Sequence, residues 1–206
     1  MKNQSRAFTL IELLIVVTII AILAAIAVPN FLEAQTRAKV SRAKADMRTA
    51  ATALESYRVD WNYYPISGTR VMVVASTNVS DGRFNFTLST PTAYITSASL
   101  PDPFATQFAQ PAERYLLYVN IDETYGPLHV NLPAFYTAYR HVFGQWFVSS
   151  IGPDRTMGPS TSTTLSPPGL FYAAELYDPT NGTTSAGDIT RSQLYTEQRY
   201  TGEMLP

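Results

Sequence analysis

One carboxylate at the edge of a long apolar run is the feature of this chain most indicative of chemistry. Glu12 immediately precedes residues 13–32, a run of 20 residues without a charged side chain. A helix of that length measures about 30 Å, which matches the hydrocarbon core of a bilayer. Because moving a carboxylate toward the bilayer centre costs roughly 3 kcal/mol, Glu12 indicates a function and needs a partner.

The other reactive residue types form no catalytic pattern. The chain has no cysteine, which excludes disulfides, thiolate zinc sites and cysteine nucleophiles. Its two histidines, His129 and His141, lie outside any metal-binding or triad motif, and no glycine-rich phosphate loop is present. The net charge of −1 gives no indication of nucleic-acid binding. We therefore expect neither an enzyme nor a nucleic-acid partner.

Two ordinary interpretations of the apolar run stay open. A secretory signal peptide fits, because Ala25-Ile26-Ala27 resembles a cleavage site that follows an apolar segment. A plain membrane anchor also fits, with Glu12 extending to the lipid headgroups. Pro29, near the far end of the run, removes one backbone donor and predicts a kink or a loosened turn there.

The residues after the run continue a helical pattern. Apolar side chains recur every three or four positions, as in an amphipathic helix. They are Val40, Ala43, Met47, Ala50, Leu54, Tyr57 and Trp61. We predict one helix from Phe8 to about Val59, ended by Asn62-Tyr63-Tyr64-Pro65. This continuity argues against cleavage after Ala27, which would discard half of the helix.

Beyond the helix, short β-rich segments alternate with turn residues. Strands are predicted at residues 70–75, 83–88, 114–120 and 145–150. Residues 159–192 are predicted to be additional loop. The fold class is therefore α+β, with a long N-terminal helix packed on a small antiparallel sheet. The apolar stripe that includes Met47, Leu54 and Trp61 is expected to be buried against this sheet.

The segment Arg6-Ala7-Phe8-Thr9-Leu10-Ile11-Glu12-Leu13 resembles the prepilin peptidase site of type IV pilins and type II secretion pseudopilins. The resemblance implies cleavage between Ala7 and Phe8, followed by N-methylation of Phe8. The family usually has glycine where this chain has Ala7. Glu12 would be the fifth mature residue, and the family implies that it pairs with the Phe8 amine of a neighbouring subunit. Pro29 falls where the family often has proline, and it is the third expected assembly residue.

The resemblance also implies an organisation for the whole chain. Residues 1–7 would be the leader, 8–32 the transmembrane half of the helix, 33–62 its amphipathic half, and 63–206 an extracytoplasmic β-rich domain. Three segments of that domain resemble the major pseudopilin of type II secretion: Asn62-Tyr63-Tyr64-Pro65, Leu100-Pro101-Asp102-Pro103-Phe104 and residues 148–155. The implied location is the inner membrane, as a single-pass precursor, although the Lys and Arg residues on the two sides do not decide orientation.

The implied function is structural: a subunit of a type II secretion pseudopilus or a related type IV pilus-like filament. The implied partners are further copies of the chain, the prepilin peptidase, an inner-membrane assembly platform and minor pseudopilins. The alternatives are a type IV pilin or minor pilin for adhesion or DNA uptake, and a membrane-anchored binding domain that never polymerises.

A structural calcium ion is the only cofactor that the resemblance implies. Major pseudopilins commonly bind calcium in a C-terminal loop, and the candidate ligands here are Asp154, Asp178 and Asp188. The same aspartates would also suit the stabilisation of turns. The sequence leaves both interpretations open.

Overall fold

The computed structural model describes residues 8–66, 86–107, 114–122, 136–137, 140–141, 143–155, 177–178, 185 and 187–194. Helix α1 spans Leu10–Trp61, and strands β1, β2 and β3 span Leu117–Asn120, Trp146–Ser150 and Ile189–Ser192. Short 3-10 helices lie at Phe86–Leu88 and Ala105–Gln107. The predicted α+β class, with one long helix on a small antiparallel sheet, is confirmed.

Helix α1 begins and ends at residues that satisfy its terminal backbone groups. Thr9 caps the N-terminus, and Asn62 caps the C-terminus in the left-handed conformation, with φ of 58°. The Asn62 N–H donates to the Arg58 carbonyl at 2.8 Å. The single helix predicted from Phe8 to about Val59 is confirmed within two residues at either end. It continues through Pro29, although proline offers no N–H to the preceding turn.

The three strands form an antiparallel sheet in the order β1-β2-β3, so β2 is central. All five side chains of β2 are buried. Tyr118 pairs with Val148, and both belong to the core on the helix side. Val119 pairs with Phe147, and both belong to a smaller cluster on the other face. This alternation follows from the two-residue period of a strand.

The main core lies between the second half of α1 and the sheet. The helix contributes Val40, Ala43, Met47, Ala50, Ala51, Ala53, Leu54 and Tyr57. Tyr118, Trp146, Val148 and Ile189 contribute from the sheet. Because a fully buried Leu or Met side chain contributes about 1.5–3 kcal/mol, this stripe holds the helix against the domain.

Three predictions made from the sequence are wrong. Phe86–Leu88, the described part of the strand predicted at 83–88, is a 3-10 helix. Strand β3 ends a segment that was predicted to be loop, because only Ile189 gives it an apolar signal. Trp61 is 46% exposed, since it lies in the last turn of α1 and stacks on Tyr57. The strand predicted at 70–75 lies outside the described residues.

Candidate assembly site at the start of the helix

Phe8, the expected first residue of the mature chain, lies just outside the helix. Its side chain is exposed, and Thr9 separates it from Leu10, where α1 begins. The bond on the amino side of Phe8 therefore borders the helix and is not part of its hydrogen-bonded ladder. Ala7, on the other side of the predicted cleavage point, lies outside the described residues.

Glu12 forms a reciprocal capping box with Thr9. Its Oε2 atom accepts the Thr9 backbone N–H at 2.9 Å and the Thr9 hydroxyl at 2.7 Å. The Glu12 N–H donates to Thr9 Oγ1 at 3.3 Å. A carboxylate at this position also interacts favourably with the helix dipole. Our sequence reasoning missed the role of Thr9, although the Thr-x-x-Glu spacing is its signal.

The capping box uses only one oxygen of the carboxylate. Within the part of the chain that the structure describes, no hydrogen bond reaches Glu12 Oε1. An ionised carboxylate has about four acceptor positions, so Oε1 can accept from a cationic group while Oε2 stays in the cap. Glu12 can thus order its own helix start and still bind a neighbour.

The first half of α1 presents an uncovered apolar surface. Among the described residues, α1 is the one helix that is long and apolar enough to cross a membrane. No residue in its most apolar stretch is buried against the rest of the chain. Thr18 does not disrupt this surface, because its hydroxyl donates to the Leu14 carbonyl at 2.7 Å. Pro29 lies in the same exposed half. Such a surface requires lipid or another apolar helix against it.

The segment that contains Asp102 is tied to the end of β2. The buried Asp102 carboxylate accepts the Phe104 N–H and the Ser150 hydroxyl at 2.9 Å, and the Ile151 N–H at 3.0 Å. Burial raises the pKa of Asp102, and these three hydrogen bonds offset part of that increase. Two of the segments that resembled a pseudopilin therefore meet at one buried carboxylate.

The three predicted calcium ligands lie on neighbouring segments but do not form a metal site by themselves. Asp154 Oδ2 accepts the Gly187 N–H at 2.8 Å, and the Tyr177 N–H donates to the Asp188 carbonyl at 3.1 Å. The Asp178 N–H donates to Ser185 Oγ at 2.8 Å. Within the described ranges, no group of three or more His, Asp or Glu side chains is arranged to hold a metal ion. Calcium binding stays a prediction.

A helix with an exposed apolar first half, packed through its second half on a small antiparallel sheet, is consistent with a pilin-like α+β fold. Comparison with known proteins narrows the range of families that the chain resembles. Residues 2–28 match the prokaryotic N-terminal methylation motif, and residues 30–117 match type II secretion system (T2SS), protein G. The first match agrees with the motif that the N-terminal segment resembled, and the second agrees with the pseudopilin resemblance of the segments after the helix.

Its relatives include components of pili and of secretion systems. The chain is 56% identical over 54 residues to the type IV major pilin protein PilA of Myxococcus xanthus, covering 26% of this chain and 24% of the relative. It is 44% identical over 64 residues to the type II secretion system core protein G of Pseudomonas aeruginosa, covering 31% and 45%. It is 48% identical over 64 residues to the type IV wide pilus major component PilA4 of Thermus thermophilus, covering 31% and 48%.

The chain thus spans between about a quarter and a half of the length of these relatives. No solved structure matches it significantly.

Proposed function

We propose that this chain is a structural subunit of a type II secretion pseudopilus or a related type IV pilus-like filament. The observation that carries the proposal is the uncovered apolar half of α1. Most of this half falls within the residues that match the N-terminal methylation motif, 2–28. In the proposed sequence of events, the precursor is a single-pass inner-membrane protein with residues 63–206, which we call the head domain, outside the cytoplasm. A prepilin peptidase cleaves between Ala7 and Phe8, and the Phe8 amine is methylated.

Assembly then exchanges one apolar environment for another. As subunits leave the bilayer, the exposed halves of their helices pack against each other in the filament core. The free Glu12 Oε1 accepts the Phe8 amine of a neighbouring copy, which sets the axial register. Removing one member of a buried ion pair costs about 3–5 kcal/mol, so a subunit in the wrong register is strongly disfavoured. Pro29 removes one hydrogen bond from each helix and eases its packing.

The further partners in this proposal are an inner-membrane assembly platform and minor pseudopilins. As a structural subunit, the chain would not need to catalyse a reaction itself. The support for it is that the three relatives described above and the matched domain carry names of pilus or secretion-system components.

Zero-length cross-linking tests the proposed contact between copies. A carbodiimide joins an amine to a carboxylate only where the two are in direct contact. In sheared filaments we expect cross-linked peptides that join Phe8 of one copy to Glu12 of another, and none in Glu12→Ala cells. A membrane-anchored binding domain that never polymerises would give only monomers, which would overturn the proposal.

A type IV pilin is the second candidate, and a specific observation favours it. The 54-residue match to a major pilin is 56% identical, higher than the 44% identity over 64 residues to a secretion core protein. Deletion of the chain separates the two functions. Loss of exoprotein secretion with intact motility and adhesion supports the pseudopilus, and the opposite result supports the pilus.

A further inference from the structure

We propose that the start of the amphipathic half of α1 binds the headgroups of anionic phospholipids while the protein is in the membrane. The basic residues concerned form what we call the basic collar. They are Arg37, Lys39, Arg42, Lys44 and Arg48. The proposal requires only that residues 13–32 are inserted in a bilayer. Its failure would therefore leave the proposed filament function untouched.

Charge is strongly segregated along the chain. Residues 33–48 contain the five basic residues of the collar and two acidic residues, Glu33 and Asp46, which gives a net charge of +3. The whole chain has a net charge of −1, so all other residues together carry −4. The positive charge therefore lies next to the apolar run, in a protein that is otherwise acidic. Polybasic segments beside a membrane span attract anionic lipids.

The collar begins at the height of the headgroup layer. At 1.5 Å per residue, Arg37 lies about 7.5 Å beyond Leu32 along the axis, and Arg42 about 15 Å beyond it. The polar layer on each side of a bilayer is roughly 5–8 Å thick. Side chains on a helix lean toward its N-terminus, and that of Arg37 follows this direction, because it pairs with Glu33 one turn nearer the bilayer. Arg37 is thus placed within reach of phosphate groups.

The two arginines are accessible. The side chain of Arg37 is 71% exposed and that of Arg42 is 66% exposed. Each has an acidic partner one turn away, Glu33 and Asp46, but exposed pairs of this kind are weak and do not prevent a second contact. Lys39 differs, because its Nζ lies 5.9 Å from the centre of the Phe104 ring and is directed at the head domain.

Lipid selectivity of the full chain tests the proposal. The chain is reconstituted in liposomes at a protein density so low that copies do not meet, with trace spin-labelled phosphatidylglycerol or phosphatidylcholine. Electron paramagnetic resonance then reports the fraction of each lipid held at the protein. We expect about a two- to five-fold preference for phosphatidylglycerol at low salt. The preference should disappear in 1 M salt, where the screening length is about 3 Å.

Two arginines on one helix face provide a matched pair of variants. Arg48 lies 11 residues after Arg37, which is about three turns and about 16 Å farther from the bilayer. We expect Arg37→Gln to reduce the preference, Arg37→Lys to retain it, and Arg48→Gln to leave it unchanged. Equal retention of both lipids by the wild-type chain, or equal losses in Arg37→Gln and Arg48→Gln, would overturn the proposal. A preference that appears only at high protein density would show that the lipid site forms between copies of the chain, and would refute lipid binding by the collar of a single chain.

Discussion

Thr9 and Glu12 offer a pair of substitutions that separates the two roles of the carboxylate. Thr9→Ala removes the hydroxyl that makes two of the three capping contacts, at 2.7 and 3.3 Å, and leaves the charge of Glu12 in place. Glu12→Gln does the reverse. A glutamine oxygen still accepts the Thr9 N–H of the capping box, but the negative charge is gone.

The expected magnitudes differ by more than a factor of ten. Losing a Thr N-cap costs about 1 kcal/mol, which corresponds to about a five-fold effect on any step that needs the first turn of α1. Removing one charge of a buried pair costs about 3–5 kcal/mol, and therefore more than a hundred-fold. If Glu12 binds the Phe8 amine of a neighbour, Glu12→Gln should block assembly while Thr9→Ala only reduces it.

The assay is the yield of sheared filaments, normalised to the amount of precursor in the membrane. Thr9→Ser is the matched control, because it keeps the hydroxyl and should assemble like the wild type. Hydrogen exchange of the amides in the first turn of α1 verifies that Thr9→Ala has loosened the cap and that Glu12→Gln has not. Normal filaments from Glu12→Gln together with failure of Thr9→Ala would refute pairing between copies, and would leave Glu12 as a capping residue only.

Three further substitutions test the packing and the polar contacts of the head domain. Leu54 is fully buried between helix and sheet, so Leu54→Ala should lower the free energy of unfolding, measured in denaturant, by about 2–5 kcal/mol. Val59→Ala is the control, because Val59 is exposed on the same helix, and it should change this free energy by less than about 0.5 kcal/mol. Burial raises the pKa of Asp102 above 3.8, so its carboxyl contributes stability that is complete below that pH and is lost as the pH rises through the raised value. The free energy of unfolding of the wild type relative to Asp102→Asn should therefore fall as the pH rises from below 3.8 through the raised pKa, and a constant difference would contradict this. Asp154 accepts the Gly187 N–H, so Asp154→Ala should lower the melting temperature equally in calcium and in chelator; a loss seen only with calcium would identify Asp154 as a ligand.

The helix was predictable because its signals are local. Residues three and four positions apart share a face, and the side chains from Val40 to Tyr57 that recur at this spacing are buried. The αL cap at Asn62, followed by Pro65, ends the helix where the sequence indicated. Trp61 broke the pattern, since periodicity shows which face a residue occupies but not how far the sheet extends beneath it.

Strand β3 and the predicted calcium site depend on contacts between distant residues. Ile189–Ser192 contains one strongly apolar residue, and its burial comes from pairing with β2, about 40 positions earlier. Thr190 and Ser149 satisfy each other there at 3.1 Å. Whether Asp154, Asp178 and Asp188 lie close enough together to bind an ion likewise could not be judged from their spacing. The partner proposed for Glu12 belongs to another copy, which neither the sequence nor a single chain displays.

Intact-mass and N-terminal peptide mass spectrometry of the protein purified from its own membranes tests the central claim most directly. Our account predicts a chain that begins at Phe8 and carries a methyl group on the Phe8 amine. A chain that begins at Val28 would show that residues 1–27 are a cleaved signal peptide. It would then lack Glu12 and the apolar half of α1, and the proposed filament could not form.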